Sequence, residues 1–195
     1  MTLATWLTVV TICILGAMSP GPSLALVLKQ TLTGGRRNGI ITALSHGIGV
    51  GIYAFLSILG LAAIITASPT SFSILQWGGA LYLAWLGVKG LMAKRQADDE
   101  LPEPPTTKSA ARDGFLIAFF NPKIAVFFLA LFSQVVGTDT SLMAKFGYAA
   151  TALVIDTSWY LIVAWLFSNP KWLTLLRQKA VWFERIFGAI LIGLA

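Results

Sequence analysis

Long apolar stretches alternate with short basic ones along this chain. No Lys, Arg, Asp or Glu occurs from Met1 to Leu28, nor from Asn38 to Val88. A helix needs roughly 20 apolar residues to cross the hydrocarbon core of a bilayer. The first run supplies one crossing and the second supplies two. Gly34-Gly35, with Arg36 and Arg37 after it, ends the first, and Ser68-Pro69-Thr70-Ser71 divides the long run. Read this way throughout, the pattern predicts six membrane segments, at 3–33, 40–66, 72–92, 112–137, 146–167 and 182–195. The sixth is short, because the residues after Arg185 span only about 15 Å as helix. Either it starts earlier or the C-terminus has been shortened. The fold class is an all-α polytopic membrane protein with one membrane domain, 1–195. Its first half is 1–92, a polar linker containing Pro102, Pro104 and Pro105 covers 93–113, and the second half is 114–195.

Composition agrees with this pattern. Of the 195 residues 56% are hydrophobic and 11% charged, about half the charged share of a soluble domain. The net charge of +6 would suggest nucleic acid in a soluble protein, but here the basic residues sit between the apolar runs. Lys29, Arg36 and Arg37 follow segment one. Lys94, Arg95, Lys108 and Arg112 follow segment three, and Lys171, Arg177 and Lys179 follow segment five. The other connections hold only Lys145. By the positive-inside rule, loops 34–39, 93–113 and 168–181 are cytoplasmic and the N-terminus is outside. Met1 to Met18 lacks the basic residues a secretory leader needs before its apolar stretch, and reads as a retained first helix. The single cysteine, Cys13, excludes a disulfide framework and a cysteine metal cluster, and reads as a small packing residue.

The two halves read as an inverted repeat. A shift of 102 residues carries Pro20 onto Pro122 and segment two onto segment five. Three helices per half is an odd number, so the second copy would be upside down, as in many transporters. The repeat rests on element order and proline position, and it makes segments one and four the broken ones.

Four features carry candidate chemistry. Ser19-Pro20-Gly21-Pro22 cannot run as undisturbed helix, because two prolines remove backbone donors and clash with the preceding turn. A plain kink is one reading. The other is a half-helix N-terminus open to a cavity, with the Ser23 and Leu24 amides and the Ser23 hydroxyl offered to a carboxylate. Asn121-Pro122-Lys123 is a second break with a cation beside it. Lys123 either reaches toward the membrane surface or faces a water-filled path. Asp156 stands alone in mid-segment five, where a carboxylate costs several kcal/mol unless paired or neutralised. It is a proton carrier or a hydrogen-bonded structural acid. His46, the only histidine, is a proton relay or a satisfied polar residue near the interface. Gly47 and Gly51 form a GxxxG pair, a signal for close helix packing that also permits a homodimer. Trp159 and Tyr160 lie deep enough in segment five to line a cavity. No Walker loop, zinc motif or catalytic triad occurs, so no cofactor is expected and no ATP-driven motor is present.

Together these residues resemble the LysE/RhtB translocator family. Ser19-Pro20-Gly21-Pro22 followed by Gly34-Gly35-Arg36-Arg37-Asn38-Gly39 looks like its first signature, and Phe119-Phe120-Asn121-Pro122-Lys123 its second. Gly79 to Gly87, and Asp156 followed by Trp159-Tyr160, also fit. The resemblance implies export of amino acids across the bacterial inner membrane, driven by the proton-motive force. Substrates across the family include lysine, arginine, homoserine, threonine and leucine. The chain departs from the pattern in segment two, where members often carry a polar or acidic residue and Gly51 to Ala54 offers only Tyr53. Few buried acids argue for a neutral cargo over a dibasic one.

The resulting expectation is a secondary transporter exporting small neutral amino acids by proton antiport. Its partners are the amino acid, protons and membrane lipid, without nucleic acid. Substrate would be held by Ser19, Pro20, Gly21, Pro22, Ser23, Asn121, Pro122, Lys123, Asp156 and Trp159, with Asp156 and His46 coupling protons. The rivals are another small solute or ion on the same scaffold, or a membrane-embedded enzyme.

Overall fold

Both proline breaks do in space what their chemistry requires: each ends one helix and starts another. The computed structural model describes residues 2–19, 21–68, 107–137 and 139–169, with isolated positions between 70 and 92 and between 172 and 192. Every regular element among these residues is helical. Helix α1 is Leu3–Met18, started by Thr2, whose hydroxyl accepts from the Thr5 amide at 3.2 Å. Helix α2 is Pro22–Ala67. Pro22 is its first residue, where a missing N–H removes no helical bond.

Drawn straight, α2 would span about 69 Å, more than twice the bilayer core. It bends instead at Gly35, whose φ of 77° and ψ of 172° belong to a region that glycine alone occupies freely. Thr31 and Gly39 would be roughly 12 Å apart in a straight helix. Here a Cβ on Gly39 would overlap the Thr31 hydroxyl and lie 3.0 Å from Ala164 Cβ. The chain therefore folds back on itself as a hairpin of two arms, α2a (22–34) and α2b (36–67). Predicted segment one is α1 plus α2a, and segment two is α2b.

Segment four is likewise two helices. Helix α3, Thr107–Phe119, and helix α4, Pro122–Val135, meet at a 47° bend. Helix α3 begins at Thr107, inside the stretch expected to be linker. The reason is tertiary. Thr107 Oγ1 donates to Asn38 Oδ1 at 3.0 Å, and Thr42 Oγ1 donates to the Ala110 carbonyl at 3.3 Å, so the first turns are held against α2b. Helix α5, Leu142–Phe167, is segment five, started four residues early by the Ser141 cap on the Ala144 amide. Apart from the isolated positions, segment three, linker residues 93–106 and segment six lie outside the described residues, as does Pro20.

Helices α2 and α5 are each long and apolar enough to cross a membrane, and the bent α3–α4 pair makes a third span if taken together. The faces of α2b suit that setting. Leu44, Ile48, Ile52 and Leu56 recur every four residues and are exposed, while Asn38, Thr42 and His46 point inward and are buried. An apolar stripe outside and polar groups inside is unstable in water and natural in lipid.

The GxxxG pair is consumed within the chain. A Cβ on Gly47 would overlap Thr157, and one on Gly51 would lie 3.0 Å from Leu153 Cβ, both on α5. A homodimer would need another face. Two apolar clusters result. One joins Val9, Ile58, Leu61, Phe128, Leu131 and Phe132, and the other joins Val27, Ala43, Tyr160, Val163, Ala164 and Phe167. Beyond the second cluster Arg36 Nε donates to Ser168 Oγ at 2.9 Å, near the Thr107–Asn38 bond. The starts or ends of all three basic stretches thus gather at one end of the bundle.

Candidate functional site

The two breaks touch. Lys123 Nζ donates to Ser19 Oγ, and Asn121 Nδ2 donates to Ser23 Oγ at 3.3 Å. Their helix starts differ in one respect. Asn121 Oδ1 accepts from the Lys123 amide at 3.0 Å and so caps α4 with its own side chain. Helix α2 follows Gly21, which has no side chain to offer. The Ala25 amide donates to the Gly21 carbonyl at 3.0 Å.

One layer further in, α2b and α5 place a charge-bearing pair. His46 Nδ1 lies 2.7 Å from Asp156 Oδ2, with His46 0% and Asp156 7% exposed. The Tyr160 ring stands edge-on to His46 at 4.9 Å between centroids. An ionised carboxylate at this depth is stable only with such a partner. Among the described residues His46 Nε2 has no hydrogen-bond partner.

Breaks and pair surround a common cavity of about 50 Å³, room for roughly three waters. Ser19, Gly21, Pro22, Ser23, Asn121 and Lys123 line it from the breaks, and His46, Asp156 and Tyr160 from the pair. The remaining wall is mostly apolar, with Cys13 and Ala17 from α1, Val50 from α2b, Phe127 and Phe128 from α4, and Ala152 from α5.

Eight of the residues expected at the site therefore meet at one cavity: Ser19, Gly21, Pro22, Ser23, His46, Asn121, Lys123 and Asp156. Pro122 starts α4 and does not line it. Trp159 also lies off the lining, packed against the second cluster, with an indole nitrogen that has no partner among the described residues. Of the two aromatic residues expected to be deep enough to line a cavity, Tyr160 does so. The spacing held the clue, since residues four apart on a helix share a face, and Ala152, Asp156 and Tyr160 recur at that spacing. Cys13 is a wall of the cavity, a role its reading as a packing residue did not include. Among the described residues no group of three or more His, Cys, Asp or Glu could hold a metal ion.

The pattern of LysE type translocators matches residues 14–195. The chain is 30% identical over 193 residues to a threonine efflux protein of Escherichia coli (strain K12), covering 96% of this chain and 94% of that one. It is 30% identical over 184 residues to a leucine efflux protein of Enterobacter sp. (strain 638), covering 90% and 86%. An uncharacterized membrane protein of Bacillus subtilis (strain 168) is 27% identical, covering 89% and 88%. No solved structure matches. A helical membrane protein with touching proline breaks, matched along nearly its whole length by amino-acid efflux proteins, belongs to the LysE/RhtB family of translocators.

Proposed function

We propose that this chain exports small neutral amino acids from the bacterial cytoplasm in exchange for protons. One observation carries the reading: a cation, Lys123, and a carboxylate, Asp156, line the same cavity. An amino-acid zwitterion has the complementary pair of charges. Its carboxylate fits Lys123 and the start of α2 at Pro22 and Ser23, where the helix dipole favours negative charge. Its ammonium fits Asp156. Among the described lining residues Asp156 is the only carboxylate, and a dibasic cargo would need a second. The relatives carry the names of a hydroxylated and an aliphatic amino acid, so kinship supports a neutral cargo and leaves its side chain open.

Coupling follows from competition. Asp156 bonds to His46 in the unloaded cavity, and an arriving ammonium takes over the carboxylate. A proton taken up by the pair weakens its hold on the ammonium and releases the amino acid. The other titratable groups lining the cavity are Cys13, Lys123 and Tyr160. Acid outside therefore favours export.

Two geometric facts support the topology. The gathering of the basic stretches at one end suits a cytoplasmic face there and an outside N-terminus. The inverted repeat of six spans is supported by contacts at the expected 102-residue offset. A Cβ on Gly21 would lie 3.7 Å from Lys123 Cδ, and one on Gly51 would lie 3.0 Å from Leu153 Cβ. Contact between equivalent positions is what a pseudo-two-fold axis passing between two copies would produce.

The test is counterflow in proteoliposomes loaded with single amino acids, with and without a pH gradient. Counterflow of a neutral amino acid, enhanced by the gradient and losing that enhancement in Asp156→Asn, supports the reading. Unchanged gradient dependence in Asp156→Asn removes Asp156 from the coupling. No counterflow across a full panel defeats the exporter reading and favours another solute.

A further inference from the structure

We infer that the cavity selects an aliphatic amino-acid side chain and discriminates against a hydroxylated one of the same size. This rests on the exporter reading and adds the class of side chain. The argument is a gradient on which four helices agree. Along α1 the lining changes from Ser19 to Ala17 to Cys13. Along α2b it changes from His46 to Val50, along α4 from Lys123 to Phe127 and Phe128, and along α5 from Asp156 to Ala152. Each helix goes from polar to apolar within one or two turns, and all four do so toward the same end. That end is fixed by packing: Cys13, Val50, Phe128 and Ala152 all belong to the first apolar cluster.

A zwitterion held by Lys123 and Asp156 has its two charges at the polar end. Its side chain then points into the apolar end. Among the described residues the lining side chains there carry no oxygen or nitrogen, and the Cys13 thiol is the one weak hydrogen-bonding side-chain group. A methyl entering this space leaves water at no polar cost, whereas a hydroxyl loses its water bonds without replacement. Valine and threonine share a shape and differ in that one group, so they isolate the effect. Sites of this kind separate such pairs by about tenfold to 100-fold.

Cys13 also supplies the test, because it is the only thiol in the chain and sits in the wall that the side chain would meet. The full-length protein is treated with N-ethylmaleimide in the presence of valine, leucine, threonine or serine. Ligand-induced shifts of the melting temperature are measured with the same four, so that the ranking is obtained even if the thiol reacts slowly. The expected result is protection and stabilisation by valine at about one-tenth the concentration of threonine or less. In Cys13→Ser, which places a hydroxyl in the apolar wall, the melting shifts should show that gap narrowed severalfold. Equal or reversed ranking of valine and threonine overturns the inference, as does binding of no amino acid. Counterflow of the same four amino acids separates the two readings. Threonine carried in preference to valine defeats the side-chain inference and leaves the exporter standing. No counterflow and no binding defeats both.

Discussion

The two ends of the bundle are closed by different chemistry. Toward the end reached by Val50, Ala54, Ile58 and Leu61 of α2b, the interior is apolar. Phe128 and Phe132 stack there at 5.3 Å with ring planes 5° apart, and Leu131 and Val9 complete the packing. Toward the end reached by Thr42 and Asn38, the buried residues include Gln30, Thr31, Asn38 and Thr42, all 5% exposed or less. That end is tied by the Thr42–Ala110, Thr107–Asn38 and Arg36–Ser168 hydrogen bonds. The cavity lies between the two. Opening the apolar end exposes hydrocarbon to water, at about 25 cal/mol per Å². Opening the polar end exchanges some protein hydrogen bonds for water ones, a nearly balanced trade, and also parts the second apolar cluster of Val27, Ala43, Val163, Ala164 and Phe167. One end is thus held mainly by packing and the other by packing together with replaceable bonds, and the bonded end is the one where the basic stretches gather.

The sharpest way to break this contrast is at the apolar seal. Phe132 is 0% exposed, and Phe132→Ala should destabilise the protein by about 3–5 kcal/mol. It should also let protons leak through liposomes without substrate, read with an entrapped pH dye. A tight, merely less stable variant would mean that the stack is packing and no seal. Next in size is Gly47→Val. Its side chain would meet Thr157, including the backbone Cα at 3.3 Å from the first added carbon. Forcing α2b from α5 should cost about 1–3 kcal/mol and lengthen the His46–Asp156 bond. Transport should therefore fall further than the melting temperature alone explains. Transport that tracks stability would mean the pair tolerates the shift.

Much of this arrangement is legible in the sequence, and the reason is local chemistry. A proline cannot donate a hydrogen bond and a charge cannot sit idle in hydrocarbon, so Pro22, Asn121, Lys123 and Asp156 announce themselves wherever they fall. The GxxxG pair of Gly47 and Gly51 marked a close helix contact, because small residues let two backbones approach. Partners were less legible. His46 and Asp156 are 110 residues apart, and no spacing rule joins them. The choice between Trp159 and Tyr160 turns on which face of α5 looks inward, and Asp156 as reference points to its four-residue neighbour. The start of α3 at Thr107 was hidden because Asn38 and Thr42, far away in sequence, hold its first turns. The polarity difference between the two ends could have been seen on α2b alone, where the four-residue stripe runs Asn38, Thr42, His46, Val50, Ala54, Ile58.

The polar latch should respond weakly in stability and clearly in rate. Thr42→Val keeps the shape of a fully buried side chain and removes one hydroxyl. The Asn38 and Ala110 carbonyls it reaches sit within helices, so the loss should be about 1 kcal/mol. Yet it replaces a water-compatible group with a methyl on the path from His46 to the basic end, and counterflow should slow severalfold. Unaltered counterflow would remove the buried hydroxyl from the opening step.

Smallest of all in stability is Arg36→Gln. The guanidinium is exposed, and its bond to Ser168 Oγ and its position 6.0 Å over the Trp165 ring are surface contacts. Such exposed contacts contribute about 0.5 kcal/mol each. Arg36 nevertheless follows the Gly35 bend directly and ties it to the end of α5. If opening swings the α2 hairpin away from α5, this bond must break on every cycle. Its removal should then speed the opening step and raise counterflow. A variant that transports like the parent would place the moving joint elsewhere, and the contrast between the two ends would then rest on the buried groups alone.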